Sequence, residues 1–373
     1  MRVSGQVTQG EGTRVKLSLF RHSGDDLVPE NALEVLEPSD AFDPLIRSGD
    51  WQTILAHFWP ARLDRRRYAS EARLFETEPG VRIVAHSDRT TDFRSNATVL
   101  IIHGLEGSSA SPYVVRMAAR ALDAGFQVVR MNVRNCGGTE HLGPTLYHSG
   151  LTTDLRSVAE QLWQIPLYIV GFSMGGNMAL KLAGEWGAGF PPQVKAICAV
   201  SPPVDLGACA LRIAEPRNHV YESRFLRHLR QTLTRKKAVM AVDYSLEPFS
   251  RIRSLIDFDN AYTAPAFGFC DAFDYYAHAS SKGHLRNIRL PALVIQAQDD
   301  PFIPFAIFNS AVFRENPSLS LLTPRSGGHV AFISRRQPRF WAQEQALRFF
   351  EWVRGRMAVT TEVDQAAGAR RTD

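Results

Sequence analysis

Leu167-Tyr168-Ile169-Val170-Gly171-Phe172-Ser173-Met174-Gly175-Gly176-Asn177 is an apolar run that breaks into Gly-x-Ser-x-Gly and continues into a helix-compatible segment. Buried strand, small-residue turn and helix in that order make a nucleophile elbow: the serine sits on a strained turn, and the glycines two before and two after it let the backbone pack where a Cβ would clash. Small-residue loops produce a bare Gly-x-Ser-x-Gly by chance. Here Met174 to Trp186 sets apolar Met178, Leu180 and Leu182 beside Lys181 and Glu185, as a helix packed on a sheet does.

Outward from the elbow, strands and helices alternate. Ala69 to Glu78 and Val81 to Asp88 read as a strand pair turning at Pro79-Gly80. Ala97 to His103, Phe126 to Asn132, Val194 to Ser201, Ala292 to Gln296 and Ser318 to Leu322 read as further strands, with helices at Pro112 to Ala124 and Thr152 to Gln164. A helix over Gln337 to Arg356 carries Trp341, Leu347, Phe350 and Val353 along one face. Continuously apolar strands alternating with amphipathic helices predict a mostly parallel central sheet flanked by helices on both faces.

From about Pro203 to Gly283 the alternation stops, and the segment reads as a helical cap insertion. The expected organisation is a polar extension over 1–40, a core in two parts over 41–202 and 284–357, the cap over 203–283, and a flexible tail over 358–373. Phe225, Phe249, Phe267, Phe269, Phe273 and Tyr276 of the cap either line an apolar channel or form the cap's own core. Arg217, Arg224, Arg227, Arg230, Arg235, Lys236 and Lys237 form a basic stretch that reads as a solvated helical face, or as a surface approaching anionic lipid or an acidic substrate.

A serine needs a histidine base and an orienting carboxylate to attack at neutral pH, and elbow serines are followed in the chain by the acid and then the histidine. The strand ending at Gln296 runs into Gln298-Asp299-Asp300-Pro301-Phe302-Ile303-Pro304, which sets carboxylates just past a strand's C-terminal end, where open α/β sheets bind ligands. Asp300, first residue of an Asp-x-x-x-Pro loop, is the preferred acid. Asp299 is the alternative, or else faces solvent or caps the turn. His329, flanked by Gly327 and Gly328, is the one histidine after Asp300. For the oxyanion, the candidate donors are the Met174 N–H at the start of the elbow helix and the Leu105 N–H in the loop after Ile101-Ile102-His103. His103 precedes the serine and reads as a loop anchor rather than the base.

Cys136, Cys198, Cys209 and Cys270 lack metal-ligand or disulfide-framework spacing, and a net charge of +5 suggests some preference for anionic surfaces without a nucleic-acid motif. No metal or cofactor is expected. No run approaches the roughly 20 apolar residues of a membrane span, and Met1 to Arg21 lacks a signal-peptide core, so a soluble cytoplasmic protein is expected.

Taken together, His103-Gly-Leu-Glu-Gly-Ser-Ser109, Asn132-Val-Arg-Asn-Cys-Gly-Gly138, the elbow, Asp299-Asp-Pro-Phe302, Gly327-Gly-His-Val-Ala-Phe332 and the upstream Trp51-Gln52-Thr53-Ile54 resemble one α/β-hydrolase subfamily. It contains the YheT-like hydrolases of bacteria, the medium-chain fatty acid ethyl ester synthase/esterases of yeast and the α/β-hydrolase domain lipases of animals. The resemblance covers roughly Asp43 to Arg356. The chain departs from the pattern at Asn135, where a glycine is usual, and at Asp50-Trp51, where a His-hydrophobic pair is usual. The resemblance implies an α/β-hydrolase fold and hydrolysis of acyl-lipid or medium-chain carboxylic esters through an acyl-enzyme. The alternatives are an acyltransferase delivering to an alcohol and a non-catalytic binding protein of the same fold.

Overall fold

The structure, a computed structural model, describes the backbone of residues 3–4, 18–21, 27–29, 35–90, 97–162, 164–241 and 244–369, with side chains between 35 and 356. Its strands are β1 (Val3–Ser4), β2 (Ser18–Arg21), β3 (Leu27–Pro29), β4 (Tyr68–Glu78), β5 (Val81–Thr90), β6 (Thr98–Ile102), β7 (Gln127–Met131), β8 (Leu167–Phe172), β9 (Val194–Val200), β10 (Ala292–Ile295) and β11 (Leu319–Leu322). They form one sheet in the order β1-β2-β3-β11-β10-β9-β8-β6-β7-β5-β4. The run from β7 through β6, β8, β9 and β10 to β11 is parallel, and antiparallel strands close both ends.

The central strands are apolar at every position because both faces are covered. Along β6, Leu100 and Ile102 pack on one side with Leu167 and Ile169 of β8. Val99 and Ile101 pack on the other with Tyr168, Val170 and Phe172. Each such side chain contributes about 1.5–3 kcal/mol by leaving water.

The helices are α1 (Gly49–Phe58), α2 (Pro112–Asp123), α3 (Thr152–Gln161), α4 (Met174–Trp186), α5 (Leu206–Ile213), α6 (His219–Val239), α7 (Leu255–Phe258), α8 (Ala264–Phe267), α9 (Ala272–Ala279), α10 (Val312–Glu315) and α11 (Trp341–Ala369). Helices α5 to α9 fill the stretch between β9 and β10, and Leu226, Leu229, Leu233, Phe249, Leu255, Phe258 and Tyr262 form a core of their own there.

Three elements differ from the sequence-based expectation. Strands β1 to β3, inside the expected polar extension, pair onto the edge of β11, whose unpaired backbone groups accept a neighbour. The rest of residues 1–34 lies outside the described residues, as do 370–373 of the expected tail. Helix α11 begins at Trp341 rather than Gln337, because Phe340 is bridged to Ile333, and it runs on to Ala369 through most of that tail. Helix α1 was legible only as the Trp51-Gln52-Thr53-Ile54 motif; its N-terminus is capped by the Ser48 hydroxyl, which accepts from the Trp51 N–H.

Candidate active site

Ser173 has φ 53° and ψ −122°, a positive φ outside the ordinary range for a side-chain-bearing residue, and such strain costs on the order of 1–3 kcal/mol. The fold holds it there by close packing. A Cβ at Gly171 would run into the Gly175 carbonyl, and one at Gly175 would meet the carbonyls of Ile102 and His103 at 2.6 Å. The Ser173 N–H donates to the Val200 carbonyl of β9 at 2.8 Å, and the Gly176 N–H donates back to the Ser173 carbonyl at 2.8 Å. The hydroxyl is thereby presented at the carboxyl edge of the parallel strands.

His329 lies on the loop after β11, with Nε2 2.8 Å from Ser173 Oγ. Its Nδ1 is 2.9 Å from Asp300 Oδ2. Asp300, on the loop after β10, is 3% exposed, and its other oxygen accepts the backbone N–H groups of Phe302 (2.9 Å) and Ile303 (3.2 Å). These bonds hold the carboxylate aimed at the imidazole. Phe302 packs edge-on against the His329 ring at 4.7 Å. Asp299 is turned away from the imidazole: its Oδ1 accepts the Gly328 N–H at 2.9 Å, and burial pushes its carboxyl up. Of the two roles open to it, the capping one is what the geometry shows.

Leu105 and Met174 both border the cleft that holds Ser173 and His329. Met174 opens α4. Leu105 follows Gly104, where a Cβ would stand 3.0 Å from that of Ser173, so the loop passes directly over the serine. Tyr113 fixes the loop by accepting the Gly104 N–H on its hydroxyl at 2.9 Å. His103 is fully buried, and burial holds its pKa down to about 4, so the ring is neutral. Its Nδ1 lies 2.7 Å from the Gly104 carbonyl, and its Nε2 accepts the Val133 N–H at 3.0 Å. The residue ties the ends of β6 and β7 together, as a loop anchor.

Residues 97–335 match the model of the alpha/beta hydrolase fold family. The chain belongs to that family. It is 31% identical over 270 residues to YheT of Escherichia coli K12, provisionally named an esterase, covering 70% of this chain and 78% of that one. It is 28% identical over 253 residues to the phospholipase ABHD3 of Mus musculus, covering 66% of this chain and 61% of that one. With medium-chain fatty acid ethyl ester synthase/esterase 2 of Saccharomyces cerevisiae it shares 28% identity over 326 residues, 78% of this chain and 67% of that one. A Pyrococcus furiosus esterase has the same fold, with a TM-score of 0.53 at 16% identity over 79% of this chain and 95% of that one.

In this alpha/beta hydrolase two clefts meet at Ser173 and His329. One, of about 130 Å³, runs beneath α5, α6 and α9 and is walled by Leu206, Ala210, Ile213, Leu229, Leu233 and Phe258. Of the six aromatics considered for a channel, Phe225 and Tyr276 line it. Phe249 belongs to the separate core of the stretch between β9 and β10, Phe267 and Phe269 pack on His148, and Phe273 is half exposed. The other cleft, about 240 Å³, opens between α1, the 104–113 loop and the first half of α6.

Several residues that hold the site together were beyond sequence reasoning. The Thr53 hydroxyl accepts the His329 N–H at 2.8 Å, and the Gln52 amide bonds both backbone groups of Ile333, so α1 braces the histidine loop. The Gln-Thr echo was the available signal. Asn177, buried in α4, donates to the carbonyls of Ser149 and Ala279 and accepts the Ser281 N–H, pinning the end of α9 to the elbow helix.

The basic stretch divides: Arg217, Arg227, Arg230, Arg235 and Lys237 are exposed, as on a solvated helical face, while Lys236 turns inward. Lys236 is wholly buried and donates to Asn135 Oδ1 (2.7 Å) and the Gly143 carbonyl (2.6 Å), which gives the departure at Asn135 a structural partner. Arg235 pairs with Glu140, Arg230 stacks on Phe249, and Lys237 donates to the Tyr244 carbonyl. Among the described residues no helix is long and apolar enough to cross a membrane.

Proposed function

We propose that this protein is a serine carboxylic ester hydrolase acting on acyl-lipid or medium-chain esters. Ser173 Oγ attacks the ester carbonyl while His329 Nε2 takes its proton, and Asp300 holds the Nδ1–H tautomer and offsets the charge of the imidazolium. The Leu105 and Met174 N–H groups stabilise the tetrahedral oxyanion. Its collapse releases the alcohol, protonated by His329, and leaves an acyl-enzyme that water then cleaves by the same steps in reverse. The helical segment 203–283 is the cap, and the acyl chain lies in the apolar cleft beneath it.

The observation that supports this best is the unbroken hydrogen-bonded series from Ser173 through His329 to buried Asp300, opening onto an apolar cleft. Relatives named as esterase and phospholipase agree with it. The test is labelling with a fluorophosphonate. Folded wild type should be tagged and Ser173→Ala should not, with ester turnover reduced at least about 10³-fold; tagging of both, or of neither, removes Ser173 as nucleophile.

A second reading, acyl transfer to an alcohol, draws on the second cleft, which reaches the same serine. Product analysis with added alcohol separates the two, since transfer yields a new ester in place of free acid. A purely binding protein is disfavoured because Ser173, Asp300 and His329 are all present and joined.

A further inference from the structure

The two clefts differ in electrostatic character. The apolar cleft is lined by two half-buried acids, Asp259 and Glu106, of which Glu106 borders the second cleft as well. Glu106 accepts the hydroxyls of Tyr147 and Thr232, both at 2.6 Å, and Asp259 those of Thr263 and Tyr276, also at 2.6 Å. Burial pushes both carboxyls up, which marks a place hostile to negative charge.

The second cleft is lined by Arg116, Arg224, His57 and His228. Arg116 is buried, donates to the carbonyls of Ala56 (3.1 Å) and Trp59 (3.0 Å) at the end of α1, and leaves Nε without a partner. Arg224 donates to the His57 ring at 2.6 Å. Among the described residues neither arginine has an acidic side chain within ion-pair distance. Asp50, on the same α1, is engaged by Tyr221 and faces Arg217, and Glu106, which borders both clefts, is taken up by Tyr147 and Thr232. The positive charge is felt locally: His57 is held down by burial, Arg224 and His228, and His228 by burial and then Arg224, Arg227 and Arg235. Two guanidiniums and two imidazoles converge in a cleft that also contains Ser173, and its bordering acid, Glu106, is engaged by hydroxyls and pairs with neither arginine; together they form a binding site for an anion.

We propose that the second cleft is the leaving-group subsite and that it selects esters whose alcohol half carries an anionic group, held by Arg224 with His57, His228 and Arg116. This rests on Ser173 being the nucleophile of an ester hydrolase. The arrangement orients the substrate: the neutral acyl chain enters beneath the cap, away from the cations, and the charged alcohol leaves through the larger, arginine-lined cleft. Phosphate and carboxylate are both matched by guanidinium geometry.

The test compares octanoyl esters of glycerol, glycerol 3-phosphate and glyceric acid at low salt, reading kcat/KM for release of octanoate by water. The inference expects at least one charged ester to exceed the neutral one by about tenfold or more, as a charge-assisted contact supplies. Whichever of the two gains more identifies phosphate or carboxylate as the group. Arg224→Gln should collapse that ratio, and Arg224→Lys, which keeps the charge, should restore part of it, which separates recognition from a folding defect. Equal kcat/KM for all three esters, or a ratio unchanged in Arg224→Gln, overturns the inference while leaving the hydrolase reading intact. Failure to turn over any of them, with no fluorophosphonate labelling, overturns the hydrolase reading and this inference with it.

Discussion

Two clefts end at one serine, and they are built from different material. The one beneath α5, α6 and α9 is walled mainly by Leu, Ile, Ala and Phe, and the acids on it, Asp259 and the shared Glu106, are occupied by neighbouring hydroxyls. The one beside α1 is walled by Arg116, Arg224, His57 and His228 together with the 104–113 loop. The first excludes charge by desolvation and the second attracts anions, so an ester with an apolar acyl group and a charged alcohol has one favourable orientation across Ser173. Neither cleft alone would set that direction.

The comparison can be broken at its shared point. Asp300→Asn disturbs the imidazole tautomer without touching either wall, and should lower kcat about 10⁴-fold for neutral and charged esters alike; a loss confined to one substrate class, measured by steady-state kinetics, would mean that the clefts do not share a reaction centre. Leu105→Pro removes one proposed oxyanion donor, and kcat should fall about 10²–10³-fold with smaller change in KM.

The apolar side has a signature in stability. Asp259 has its folded pKa raised by burial from 3.8 to about 6. The folded state therefore binds more protons than the unfolded one between these values. The stabilisation is present in full below the unfolded pKa and is lost as pH rises through the folded one, by about 3 kcal/mol at most. Thermal melts of wild type and Asp259→Asn should differ in slope between about pH 4 and 7, with wild type losing more; parallel profiles would show the carboxyl to be well solvated and the cleft less apolar than described. The smallest effect concerns chain length. Ile213→Trp fills the cleft beneath the cap and should cut kcat/KM for octanoyl esters about tenfold while acetyl esters change by less than about threefold. An equal loss on both would place the acyl group elsewhere.

Much of the core was legible because its signals are local. The strand over Leu167 to Phe172, the elbow and the helix after it follow from apolar runs, small residues and periodicity within some twenty positions, and β6 to β11 were readable for the same reason. The helix near the C-terminus was placed four residues early, since the bridge between Ile333 and Phe340 that delays it is a tertiary pairing. Strands β1 to β3 were missed because an edge strand on β11 needs little apolar content of its own. Helix α1 is amphipathic only weakly, and what makes it matter, the Thr53 and Gln52 bonds to the histidine loop, spans over 270 residues of chain.

Residue types and their order along the chain determined that a serine would stand on a strand-to-helix turn, that an acid and a histidine would follow on later strand ends, and that glycines would surround them, because each is imposed by backbone geometry within a few residues. The tertiary structure decided which of the adjacent aspartates meets the imidazole, that Lys236 is buried against Asn135 rather than solvated, and that the arginines of α6 part company, Arg224 facing the serine's second cleft while Arg230 stacks on the cap. Those outcomes depend on side chains brought together from distant segments, where burial and the partners at hand, not the local pattern, set the energy of each charge.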